Sequence, residues 1–102
     1  MYEPEFIDFG KVKAGEKVTR TVRLINGTQS EIMIERTESS CDCLWLDTPI
    51  TEVPAGQSVT RQLVLDLKKE PAKTGRLRMM LTIYGKSGLK NELIVEAAVA
   101  AP

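Results

Sequence analysis

At 102 residues the chain is long enough for one ordinary domain and too short for two. A domain of that size buries about 60 to 65% of its unfolded surface, so one continuous core is feasible without disulfide or metal staples. Fourteen basic residues cancel fourteen acidic ones, which removes the sequence-independent attraction that binders of nucleic acid and anionic membranes draw from Lys and Arg.

Apolar residues recur with period two through nearly every segment, and Gly, Pro, Asn and Asp punctuate them, which predicts strands joined by turns. Phe6-Ile7-Asp8-Phe9 is a short first strand closed by Gly10. From Val18 to Leu24, Val18, Val22 and Leu24 share one face and Thr19, Thr21 and Arg23 the other, with turn chemistry at Asn26-Gly27. Asn26-Gly27-Thr28 also satisfies the glycosylation sequon, but an Asn-Gly turn produces that triplet by itself.

A third strand alternates Ile32 and Ile34 with Met33 and Glu35, then leads through Cys41-Asp42-Cys43 into Leu44-Trp45-Leu46. Pro49 and Pro54 bracket Ile50 to Val53, which suits an edge strand because proline cannot donate to an inner ladder. Val59 to Leu67 follows, then a loop from Lys68 to Gly75 that contains Pro71. Arg76 to Tyr84 and Glu92 to Val99 are the last strands.

Short strands at turn intervals of about 8 to 12 residues predict an all-β fold, an antiparallel immunoglobulin-like β-sandwich of seven to eight strands, with a small barrel as the alternative. Ala14-Gly15-Glu16-Lys17-Val18-Thr19-Arg20 resembles Ala55-Gly56-Gln57-Ser58-Val59-Thr60-Arg61. Turn chemistry explains both copies: glycine supplies the turn and a β-branched strand starts beyond it.

The search for chemistry returns little. No histidine is present, which excludes Ser/His/Asp and Cys/His machinery, and no phosphate loop or dinucleotide glycine motif occurs. The expectation is a chain that is not an enzyme and carries no cofactor. No apolar run approaches the roughly 20 residues of a membrane-spanning helix, and Met1-Tyr2-Glu3-Pro4-Glu5 lacks the basic-then-apolar order of a signal peptide.

Cys41 and Cys43 are the only cysteines. In an extended segment their Cα atoms stand about 6.6 Å apart, near the upper limit of about 6.8 Å for a disulfide, so direct bridging requires a bent backbone. The favoured reading is a pair of free, buried or half-buried thiols. The alternative is a thiol module, handling soft Cu(I) or exchanging disulfides, with Met33, Met79 and Met80 as the other soft donors. Trp45 is read as a core residue ahead of an exposed partner anchor.

The ordered landmarks Phe6-x-x-Phe9-Gly10, Ala14-Gly15-Glu16, Asn26-Gly27-Thr28, Ser40-Cys41-x-Cys43 and Pro54-Ala55-Gly56 resemble a bacterial family of unknown function. Its immunoglobulin-like domains are similar to Hydin-type, major-sperm-protein and PapD-like domains. Family members carry Cys-Gly-Cys followed by threonine, where this chain has Asp42 and Leu44. The resemblance implies a seven-stranded sandwich, often in exported or envelope-associated proteins, and no established activity.

Together these readings give a single domain over residues 1–102, either whole or, by preference, one domain of a longer exported protein in the periplasm or envelope. The expected function is a non-catalytic interaction or scaffold module. Its partner is a protein or a neighbouring domain, not nucleic acid. Leu63, Leu65 and Leu67 share a face opposite Gln62, Val64 and Asp66. Alternation places Leu77, Met79, Leu81 and Ile83, and likewise Leu93, Val95, Ala97 and Val99, inward and leaves Met80, Tyr84 and Ile94 as a candidate apolar binding patch.

Overall fold

The period-two alternation closes into two facing sheets in the computed structural model, which describes residues 1–69 and 73–101. Among the described residues nine strands, against the seven to eight expected, run in the order β1 (Tyr2–Glu3), β2 (Phe6–Lys13), β3 (Lys17–Ile25), β4 (Ile32–Ser39), β5 (Leu44–Leu46), β6 (Glu52–Val53), β7 (Ser58–Asp66), β8 (Gly75–Gly85) and β9 (Lys90–Ala100). One sheet has the order β1-β3-β7-β5 and the other β2-β9-β8-β4-β6.

The sandwich is therefore as expected, with the N-terminal arm divided between both sheets: β1 pairs antiparallel with β3, while β2 pairs parallel with β9. That parallel pair is the one departure from an antiparallel fold among the described strands. The short strand before Pro54 lies on an edge, as β6 beside β4. Of the loop expected from Lys68 to Gly75, Pro71 lies outside the described residues.

Core positions follow the predicted parity. Val22 and Leu24 of β3, Leu63 and Leu65 of β7, Met79, Leu81 and Ile83 of β8, and Leu93, Val95, Ala97 and Val99 of β9 are buried. Each such aliphatic side chain contributes about 1.5 to 3 kcal/mol by leaving water.

The first strand does not close at Gly10. It runs on to Lys13, and its register against β9 slips by one residue between Asp8 and Lys11. Gly10 takes a left-handed φ of 71° there, and its N–H donates to Asp8 Oδ1 at 2.8 Å. The extra residue reverses the parity of the strand, so Ile7, Phe9 and then Val12 all point into the core. Read as a turn, the glycine hides this continuation.

The Ala-Gly copies precede β3 and β7, which pair with each other, and Gly15 and Gly56 share a left-handed φ of 78° and 70°.

Asn26, read from sequence as a turn residue, is a buried hub with 1% exposure. Its Nδ2 donates to the carbonyl oxygens of Ser30 at 2.8 Å, Val53 at 3.0 Å and Pro54 at 3.3 Å. Its Oδ1 accepts from Thr28 N at 3.0 Å and Thr28 Oγ1 at 2.6 Å. One carboxamide thus ties the β3–β4 crossing to the β6–β7 crossing. A carboxamide so engaged is closed to glycosylation in the folded chain.

Removing it strands several buried polar groups. Asn26→Ala is expected to lower stability by roughly 2 to 4 kcal/mol, read as a lower denaturant midpoint at unchanged slope.

Tyr2 is the opposite case, a phenol 1% exposed whose hydroxyl has no hydrogen-bond partner among the described residues. Burial pushes its pKa up. The folded chain therefore keeps a proton that the unfolded chain releases near pH 10, so stability falls as pH rises through that range. Tyr2→Phe is expected to raise stability by roughly 1 kcal/mol at neutral pH and to flatten its decline in alkaline urea titrations.

Candidate functional site

The chain crosses from β4 in one sheet to β5 in the other through Ser40-Cys41-Asp42-Cys43, and hydrogen bonds fix both ends of that crossing. Ser40 N donates to Met80 O at 3.0 Å, and Met80 N donates back to Ser40 Oγ at 2.9 Å. On the far side Asp66 N of β7 donates to Cys43 O at 2.7 Å. Between them Leu44 N reaches Cys41 O at 3.1 Å and closes a turn.

That turn corrects the extended geometry assumed from sequence. It draws the Cα atoms of Cys41 and Cys43 to 5.1 Å, and the two sulfurs are joined in a disulfide, so neither cysteine is a free thiol. The reason is the crossing itself: a chain that must leave one sheet and enter the other within four residues cannot remain a strand. Cys41 lies at the rim with 7% exposure, while Cys43 is fully buried with its Sγ 3.8 Å from Met79 Sδ. Met33 is exposed on β4 and Met80 lies on the opposite face of β8 from Met79.

The candidate patch residues sit on the outer face of the five-stranded sheet. Met80 stands directly across from Ile94, and Ile94 is the register partner of Phe6, so the three form one row across β8, β9 and β2. Phe6 is 49% exposed. Tyr84 is not in this row: the Thr82–Glu92 pair intervenes, and the Arg36 guanidinium lies over its ring at 3.9 Å.

Charge bounds the row on its other side, where Arg76 bonds Glu96 and lies 3.7 Å from Asp8. Phe6 escaped the sequence reading because its partner at the landmark, Phe9, faces inward. The parallel register with Ile94 exists only once the sheet forms.

Trp45 is half-buried beside a cleft of about 180 Å³. Its ring carries Lys69 Nζ at 4.8 Å. Thr37 and Ser39 of β4 line that cleft from positions opposite Ile83 and Leu81. Among the described residues no three Cys, Asp or Glu gather to hold a metal, and no helix is long and apolar enough to cross a membrane.

Two facing sheets of orders β1-β3-β7-β5 and β2-β9-β8-β4-β6 make an immunoglobulin-like sandwich. The chain belongs to the family described as "Protein of unknown function (DUF1573)", whose model matches residues 2–99. No curated protein matches the chain in sequence.

Among solved structures it is similar to a protein of unknown function from Porphyromonas gingivalis W83. That match has 15% identity and a TM-score of 0.75, over 92% of this chain and 44% of that one. The CupB2 chaperone of Pseudomonas aeruginosa matches at 11% identity and a TM-score of 0.67, over 97% and 55%. SSP-19, an MSP-domain protein like family member in Caenorhabditis elegans, matches at 11% identity and a TM-score of 0.65, over 95% and 97%. The chain spans 44% of the first of these, and 22% and 18% of two larger enzyme chains that contain the same fold.

Burial ranks the two sulfurs. The unreduced chain is expected to take up no iodoacetamide under native conditions. After brief reduction, peptide mapping should show Cys41 labelled before Cys43, because only Cys41 reaches the rim.

Proposed function

We propose that this chain is a non-catalytic interaction module of an exported or envelope-associated bacterial protein, and that it docks a protein partner on the outer face of its five-stranded sheet. The observation that carries this reading is the row Phe6–Ile94–Met80, three apolar side chains aligned across three strands on the outer face of one sheet. Leaving a phenylalanine half-exposed forgoes part of the burial energy that the same residue supplies inside a core. A partner that covers the row recovers it.

Three side chains do not make a full interface of about 800 Å² per partner. They suit the anchor of one, with the Arg76, Arg78 and Glu96 cluster forming its polar rim. The fold neighbours named a chaperone and an MSP-domain protein show the same sandwich in proteins not named as enzymes. In the larger enzymes it matches about a fifth of the chain, which supports a reading as one domain among several. A Cys41–Cys43 disulfide fits an oxidising compartment such as the periplasm.

A photo-cross-linking residue placed at position 80 of the full chain in its own host should give discrete protein adducts. The same residue at position 21, exposed on the other sheet, should not. The double change Phe6→Glu, Ile94→Glu should abolish the adducts while the thermal midpoint stays within a few degrees. Equal adducts from both positions, or none from position 80, would refute the binding face.

A further inference from the structure

Three sulfurs converge where β4 crosses to β5, and the proposed binding face uses none of them. Cys41 and Cys43 are joined to each other, Met79 Sδ touches Cys43 Sγ at 3.8 Å, and the three residues are 7%, 0% and 5% exposed. A metal held by bonds of about 2.3 Å to sulfur, at tetrahedral or trigonal angles, sets two sulfur ligands about 3.8 to 4.0 Å apart. Cys43 and Met79 already stand at that spacing.

The donor set is also chemically pure. The chain has no histidine, and no carboxylate cluster joins the cysteines among the described residues. Two thiolates and a thioether are soft ligands, which favour Cu(I) over the harder divalent ions. Zinc is the weaker fit, since its structural sites take four ligands and draw them from Cys, His and carboxylates. Cys41, at the rim between exposed Ser40 and Asp42, gives the ion a way in.

We propose that the reduced chain binds one Cu(I) through Cys41 Sγ, Cys43 Sγ and Met79 Sδ. A dithiol reductant delivers two electrons and two protons to the disulfide. The Cys41–Cys43 S–S bond breaks, and the reductant leaves as its own disulfide. Cu(I) then displaces the two thiol protons to solvent, forms two thiolate bonds and accepts a lone pair from the thioether. In the reverse direction a disulfide oxidant takes two electrons from the two thiolates and two protons from solvent and leaves as its dithiol. The Cys41–Cys43 bond re-forms and Cu(I) is released, so the disulfide and the copper site exclude each other.

The test titrates the full chain, reduced by a dithiol and kept anaerobic, with Cu(I) buffered by bicinchoninate. The expected result is one copper per reduced chain, none per oxidised chain, and three sulfur ligands by X-ray absorption. Met79→Leu preserves core volume and should weaken binding by roughly tenfold or more, whereas Met33→Leu, exposed on β4, should leave it unchanged. A reduced chain that competes for copper no better than the oxidised one overturns the site. So does a wild-type site with only two sulfurs, a count that does not depend on how the variant folds.

Discussion

The carboxamide of Asn26 is the interaction on which the two-sheet arrangement turns. A sandwich must carry its chain from one sheet to the other several times, and each crossing leaves backbone groups without a ladder partner. At one end of the molecule the β3–β4 and β6–β7 crossings lie side by side, and a single side chain donates to carbonyls in both while accepting from Thr28. The backbone N–H of Asn26 adds a bond to Gln57 O at 2.8 Å. Asparagine is suited to this place because it offers donors and acceptors together without bringing a charge into a site 1% exposed.

The other end of β7 meets a different solution. There the β4–β5 crossing is short, and the chain turns within Ser40 to Cys43, held to β8 through Ser40 and to β7 through Cys43 O. Asp42, between the two cysteines, is exposed at the turn. The turn brings the cysteines together on the core side and sets them against Met79.

These two ends leave the broad faces free to differ. The four-stranded sheet shows Thr19, Thr21 and Arg23 to solvent, with Val64 and the half-buried Trp45 in register with Thr19. The five-stranded sheet instead lines up Phe6, Ile94 and Met80 between an ion-pair cluster and the Thr82–Glu92 pair. The same fold makes up most of a small MSP-domain-like chain and a minor part of a larger enzyme.

The sequence by itself determined the strand content, the inward set on β3, β7, β8 and β9, the edge placement of β6 and the family, because period-two alternation and turn residues are local properties of the chain. It did not reveal the bulge at Gly10, since a glycine that ends a strand and one that shifts its register have the same local signature. Nor did it reveal that Phe6 rather than Tyr84 completes the apolar row, because that depends on a parallel pairing between the two ends of the chain. The proximity of Cys43 to Met79, 36 residues apart, and the convergence of Asn26 on Val53 and Pro54 are likewise products of packing. Contacts between distant residues are set by which sheets face each other, and only the tertiary structure decides that.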